Sequence, residues 1–297
     1  MGGNLNTNVF LDYLKFQKNY SPNTITNYEL DIIKYQQYLD INKIDYHSIS
    51  YQEITNYLVY LKQIGLGNSS ISRNISALRS LYNYYVRNKI VSTNPFKLIS
   101  GIKKEKKLPN FIQYNEFEDI VKNCGDDDLG IRNRALLELL IASGLRVGEI
   151  TKVKLDNLDL NNRSIRIVGK GNKERIVYFG EYAKESINNY LNNCREKLLG
   201  NKASEFLFIN HLGDDLTTRG VADIIDRIIS KTSIEKNISP HTFRHSFATM
   251  LINEGANSKM VQELLGHASI GTTSIYTHLS NTKLRMEYLK AHPRARK

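Results

Sequence analysis

The sequence predicts a mainly α-helical protein of two domains, with one small antiparallel sheet confined to the second. Three observations predict it. Through the N-terminal third, apolar residues recur at spacings of three and four, which marks helices with one buried face. At 164–179 that period gives way to alternating and β-branched residues around a glycine-rich turn, the patterning of a hairpin. Between these regions Gly101–Pro109 is lysine-rich, poor in apolar residues and closed by proline, the composition of an exposed linker. A length of 297 residues suits about two domains. The expected boundaries are a helical domain over 1–102, a basic linker over 103–110 and a mixed domain over 111–297.

The elements follow in order. A short segment, Val9–Phe16, forms the first helix. Ser21-Pro22 starts the second, with Ser as cap and Pro in the first turn; Ile25, Tyr28, Ile32, Tyr35 and Leu39 then mark its buried face. Ser50–Lys62 is the third. The fourth opens at Ser69-Ser70 and buries Ile71, Ile75, Leu78, Tyr82 and Tyr85. Its opposite side carries Ser72, Arg73, Ser76, Ser80, Asn83 and Arg87. That basic, hydroxyl-rich face has the width a DNA groove accepts, and it reads equally well as a solvated surface. In the second domain Gly130–Ser143 is a strongly apolar helix stopped by Gly144, and Val147–Val153 begins another. Ser164–Val168 and Arg175–Phe179 pair as a hairpin across Gly169–Glu174. Phe206–Ile209 reads as a further short strand, and helices with short connections follow from Thr218.

Composition narrows the function. No apolar run approaches the roughly 18 residues of a membrane span, and the start lacks a signal-peptide core. Cys124 and Cys194, the only cysteines, form no CxxC pair, so a disulfide framework or zinc-thiolate site is not expected and a reducing cytoplasm fits. Lys+Arg 41 against Asp+Glu 30 gives a net charge of +11, which makes a polyanion the expected partner, nucleic acid first. Residues 1–110 hold 14 Lys+Arg against 7 Asp+Glu, so the N-terminal third is the more basic part per residue.

Four motifs carry possible chemistry. In Pro240–Thr249, His241, Arg244 and His245 fall at i, i+3 and i+4, on one helical face. Two histidines four apart suggest zinc, but the metalloprotease pattern needs a Glu where Thr242 stands, and an arginine among them suits phosphate better than a cation. A surface helix with incidental histidines is the plain alternative. Ser143–Glu149 sets Arg146 at a helix–helix corner between glycines, where backbone amides favour an anion; a lone arginine at such a corner is also a common structural device. Lys170 sits at the tip of the hairpin turn, which lacks the P-loop pattern. His267 follows a glycine, and Tyr276 comes nine residues later. Each motif alone is weak. Together they supply two arginines, a lysine, two histidines and a tyrosine, the inventory for metal-free phosphoryl transfer.

In this order and with these surroundings, the set resembles the tyrosine recombinase (phage integrase) family over nearly the whole chain. Ser143–Glu149 is similar to its first-arginine box, Val168–Arg175 to its lysine hairpin, His241–Thr249 to its HxxR box, and Leu265-Gly-His267 with Tyr276 to its histidine and nucleophile boxes. Ser21–Tyr28 resembles the opening of its SAM-like core-binding domain. The tail, Leu284–Ala295, is similar to the Xer subgroup. The resemblance implies a helical core-binding domain and a mostly helical catalytic domain that clamp duplex DNA. It implies catalysis by Arg146, Lys170, His241, Arg244, His267 and the nucleophile Tyr276, with no cofactor and no metal. Arg73, Ser76 and Arg79 on the fourth helix, and Lys103 and Lys104 in the linker, are the expected DNA contacts.

The chemistry implied is transesterification. The arginines would neutralise the phosphate and stabilise its transition state. Tyr276, with a reference pKa near 10, would give its proton to His241, His267 would bond a phosphate oxygen, and Lys170 would protonate the departing 5′ oxygen. The expected partners are double-stranded DNA at a specific recombination site, further copies or a second Xer-like protein in a tetramer, and a septal DNA translocase as activator. The helix near Thr282–Leu289 is an exchange element between subunits or packs in cis. The leading function is resolution of chromosome dimers. The alternatives are a mobile-element integrase or plasmid resolvase, a type IB topoisomerase, and a non-catalytic DNA-binding protein.

Overall fold

A computed structural model describes residues 7–99, 110–168, 174–266 and 281–296. The chain divides into two compact units, Met1–Lys106 and Lys107–Lys297. No helix among the described residues is long and apolar enough to cross a membrane.

The first unit is helical. Its helices are α1 (Thr7–Asp12), α2 (Pro22–Asn42), α3 (Tyr51–Gln63) and α4 (Asn68–Arg87). The first is shorter than its pattern predicts, because Tyr13–Gln17 relaxes into a π-helical turn that the Lys18 amide closes on the Tyr13 carbonyl at 3.2 Å. Caps fix the starts of the next two. The Ser21 hydroxyl accepts from the Thr24 amide at 3.2 Å. Ser50 and Glu53 form a reciprocal capping box, which satisfies two backbone donors at once. The predicted stripe of α4 is buried in full, with Phe10, Ile32, Tyr57 and Phe96 in the same core. This core is rich in tyrosine, and three of its hydroxyls are satisfied internally: Tyr35 with Tyr82 at 2.8 Å, Tyr82 donating to the Tyr46 carbonyl at 2.9 Å, and Tyr57 donating to Asn74 at 3.1 Å; the buried Tyr85 hydroxyl has no partner among the described residues. Burial pushes all three phenols above their ordinary pKa, so they stay protonated as donors.

The second unit is built around α6 (Asp128–Ser143), whose residues from Ala135 to Ser143 are all buried. Before it lies α5 (Tyr114–Lys122), and after it a single turn, α7 (Val147–Ile150). The sheet has three antiparallel strands in sequence order, β1 (Leu158–Asp159), β2 (Ser164–Val168) and β3 (Glu174–Tyr178). The hairpin is where the sequence predicts it; the two-residue β1 is an addition too short to leave a pattern. Phe206–Ile209 is no strand. It makes only isolated bridges, Lys154 to Phe206 and Ile209 to Asp215, because no continuous partner lies alongside. The remaining helices are α8 (Glu181–Tyr190), α9 (Glu196–Leu199), α10 (Thr218–Ile229), α11 (Pro240–Asn253), α12 (Ser258–Leu264) and α13 (Asn281–Ala291). Both α8 and α11 pack on α6.

The C-terminal tail packs in cis. Tyr288, Ala291 and Ala295 join Phe247, Leu251 and Leu264 in a separate apolar cluster. The tail also crosses Gly180 so closely that a Cβ there would lie 1.9 Å from the Arg294 carbonyl oxygen. Any larger residue at 180 would lift it off.

Candidate active site

Three elements of the second unit meet at one corner: the end of α6, the start of α7 and the first turns of α11. Helix α6 ends because Gly144 takes a left-handed conformation, φ 60°, which glycine adopts without a Cβ penalty. A Cβ there would also stand 2.5 Å from the Phe247 ring. The chain reverses through buried Leu145, and Arg146 becomes the N-cap of α7.

Arg244 reaches this corner from α11, one helical turn inside its Ser239 cap and Pro240 start. It is only 7% exposed. Its Nη1 donates to the Gly144 carbonyl at 2.6 Å and its Nη2 to the Leu265 carbonyl at 2.7 Å. The guanidinium thus ties α6, α11 and the end of α12 together through two carbonyls that helix termini leave unpaired. Burial lowers its pKa and the Arg146 charge lowers it further, to about 10. It is still a cation at neutral pH, and Arg146 follows two residues after Gly144, whose carbonyl Arg244 grips.

Arg146 is more open, its side chain 47% exposed. Glu149 organises it. That carboxylate accepts from the Arg146 amide at 2.8 Å and from Arg146 Nη1 at 3.0 Å. It also accepts a fork from Arg175 on β3, Nη1 at 3.0 Å and Nη2 at 2.9 Å. The backbone amide that the sequence offers to an anion is therefore already taken by Glu149. Burial pushes Glu149 up, but the bonds from Arg175 and the Arg146 amide and the two arginine charges outweigh it and leave its pKa below the ordinary value. Three guanidinium groups and one carboxylate leave the corner strongly positive and suited to an anion with several acceptor oxygens, such as a phosphodiester.

The structure thus brings Arg146 and Arg244 together. His241 lies one turn before Arg244 on α11 and is exposed. Lys170, His267 and Tyr276 lie outside the described residues, as do Lys103 and Lys104. Of the expected DNA contacts on α4, Arg73 forms a fork to Asp31 at 2.8 and 3.1 Å, Arg79 donates to the carbonyls of Phe96 and Ile99 at 3.2 and 2.9 Å, and the exposed Ser76 hydroxyl donates to the Ser72 carbonyl at 2.9 Å. These two arginines therefore have work inside their own unit.

Glu149 and Arg175 are absent from the sequence-derived set of site residues. Signals for both exist. Glu149 stands three residues after Arg146, the spacing of a capping box. Arg175 pairs across the hairpin with Ile167, which is buried; cross-strand partners share a face, so an arginine there points inward and needs an anion.

Comparison with known proteins bears on what this corner does. Residues 110–283 match the model of the phage integrase family, and residues 8–89 match the phage integrase N-terminal SAM-like domain. The tyrosine recombinase XerC of Anoxybacillus flavithermus is 43% identical, over 98% of this chain and 99% of its own. The tyrosine recombinase XerC of Listeria welshimeri is 43% identical, over 96% of this chain and 97% of its own. Among solved structures, the XerH site-specific recombinase bound to palindromic difH substrate in a post-cleavage complex is similar, with a TM-score of 0.70 and 27% identity over 95% of this chain and 84% of that one. The Tn1549 transposon integrase with circular intermediate DNA shares the fold at a TM-score of 0.71 and 20% identity, over 95% of this chain and 98% of that one.

Proposed function

Because the chain belongs to the phage integrase family and is a tyrosine recombinase, an enzyme that cuts and rejoins DNA strands, we propose that its chemistry runs at the Arg146–Arg244 corner and that it resolves chromosome dimers. The observation that carries the site assignment is Arg244: a buried cation held by neutral carbonyls, beside a second arginine, and bonded to no carboxylate among the described residues. A scissile phosphate meets that charge. Arg244 and Arg146 bind its non-bridging oxygens and stabilise the charge that grows in the transition state.

Tyr276 attacks phosphorus, forming the tyrosyl–phosphate bond and breaking the bond to the 5′ oxygen. Its proton passes to His241, which stands exposed one turn from Arg244. His267 donates to a phosphate oxygen, and Lys170 delivers a proton to the departing 5′ oxygen. The products are a 3′-phosphotyrosyl link and a free 5′ hydroxyl. Attack by another strand's 5′ hydroxyl reverses the bonding and rejoins DNA without ATP.

The chromosomal role rests on the relatives that match at full length, which carry the XerC name. The transposon integrase is alike in fold alone. The protein works in the cytoplasm on duplex DNA at one recombination site, in a tetramer of itself or with a second Xer-like recombinase, under a septal DNA translocase. Two experiments test this. On a nicked substrate the wild-type protein forms a covalent adduct and Tyr276→Phe forms none while binding the same DNA; an adduct with Tyr276→Phe overturns the nucleophile. Sequencing the DNA attached after incubation with genomic fragments yields one chromosomal site; ends of a mobile element in its place establish an integrase.

A further inference from the structure

The Arg175 side chain joins three pieces of backbone that the sequence keeps far apart. It leaves β3 five residues after Lys170. It grips Glu149 of α7 with both terminal nitrogens, at 3.0 and 2.9 Å. It lies against Gly266, the residue before His267, where a Cβ would come within 2.9 Å of its Nε. Both side chains of the pair are largely shielded, Arg175 at 18% and Glu149 at 13% exposure. Arg175 Nε is buried with no hydrogen-bond partner among the described residues. Gly266 has φ +65°, and the missing side chain is what lets the guanidinium lie there.

We propose that Arg175 is a positioning residue that holds the lysine hairpin in register with the Arg146 corner, using Glu149 as the shared anchor and Gly266 as the surface it lies on. The inference rests on the assignment of Lys170 and Arg146 above. Its physical basis is the fork. Two parallel N–H···O bonds fix distance and orientation together, whereas an ammonium fixes distance alone. Glu149 has two bonds to Arg146 that do not involve Arg175, so the loss of Arg175 should fall first on the hairpin. A proton donor displaced by about an ångström costs on the order of 10²-fold in rate.

The test compares an ordinary phosphodiester with one whose 5′ bridging oxygen is sulfur, a leaving group that departs without a proton. With full-length protein, Arg175→Ala and Arg175→Lys should each cleave the ordinary substrate about 10- to 100-fold more slowly. On the sulfur substrate both should recover most of that loss, with single-site DNA affinity the same for the two substrates. Arg175→Lys separates geometry from charge: if it cleaves the ordinary substrate like wild type, only charge is needed and the positioning role is overturned. Equal slowing on both substrates also overturns it, because the defect then lies outside the leaving-group step. Lys170→Ala is the control. If the sulfur substrate does not rescue it, the acid role of Lys170 fails; if it is rescued and the Arg175 variants are not, the positioning role alone fails. Thermal melting of each variant shows whether the folded protein is what is assayed.

Discussion

Two buried arginines of the catalytic unit, Arg244 and Arg294, are met by their surroundings in opposite ways. Arg244 has two backbone carbonyls and a neighbouring cation. Arg294, 3% exposed, has two carboxylates. Its Nε donates to Glu138 at 2.8 Å, a second nitrogen bonds the same carboxylate, and a third bonds Glu118. It also lies over the rings of Tyr182 and Phe117, 4.1 and 5.0 Å from their centroids. A buried charge needs a counter-charge. Arg294 finds its own inside the chain and so belongs to the fold. Arg244 bonds no carboxylate among the described residues, and the one carboxylate of its corner, Glu149, is already shared by Arg146 and Arg175, which leaves room for an anion from outside. Neither burial nor carbonyl partners single Arg244 out, since Arg132 and Arg195 are as buried and also donate to backbone carbonyls; what marks Arg244 is the second arginine, Arg146, beside it.

The largest effect should come from breaking the satisfied cluster. Arg294→Met leaves Glu138 buried without its partner and should cost about 3–5 kcal/mol of stability, read as a fall in the melting temperature of DNA-free protein. The fraction that remains folded should cleave normally. Loss of cleavage with an unchanged melt would erase the contrast. Arg244→Ala should do the reverse: cleavage falls about 10²–10³-fold, with a smaller loss of stability, since an uncompensated buried charge leaves with it. Bound DNA should raise the melting temperature of the wild type more than that of Arg244→Ala.

Arg73 sharpens the comparison in the N-terminal unit. Its side chain is 42% exposed, but Asp31, which it grips, is fully buried. Arg73→Ala should destabilise this unit by about 1–3 kcal/mol, and adding Asp31→Asn should return part of that. The slope of log affinity against log salt should stay the same. A slope smaller by about one phosphate contact, with no change in melting, would make Arg73 a DNA contact.

Much of this was legible in the sequence. Caps are local, so Ser21, Ser50 and Gly144 marked helix ends correctly. Periodicity is local too, so the buried stripe of α4 and the β2–β3 hairpin could be placed. The two arginine boxes could be read because each has its own short pattern. The ion pairs between distant residues could not. Glu149 and Arg175 lie 26 residues apart, Asp31 and Arg73 42, and Glu138 and Arg294 156. Nothing in a helical or strand period says which inward charge meets which, so ion pairs that depend on topology stayed hidden. The tail was ambiguous for the same reason: the sequence of Leu284–Ala295 does not say which subunit it covers, and the cis seat shows only in the apolar cluster it joins and in its crossing of Gly180.

The smallest effect concerns the same tail and reads out its cis packing by pH. His292 stacks on Tyr288, donates through Nε2 to the Ile141 carbonyl at 3.1 Å and accepts the Arg294 amide at Nδ1, 3.2 Å away. The second hydrogen bond requires the neutral ring, since a protonated Nδ1 cannot accept. Burial lowers its pKa from 6.5 to about 4. Between those two values the unfolded chain binds a proton that the folded chain excludes, so stability rises with pH across that window and His292 adds no further dependence above it. The slope from this one residue is at most about 1.4 kcal/mol per pH unit. Denaturant midpoints measured from pH 4.5 to 7 should therefore climb for the wild type and climb less for His292→Gln, which keeps a donor for Ile141 and cannot ionise. Parallel curves for the two proteins would mean that the ring is solvated in solution and that the tail does not hold its cis seat in the free protein.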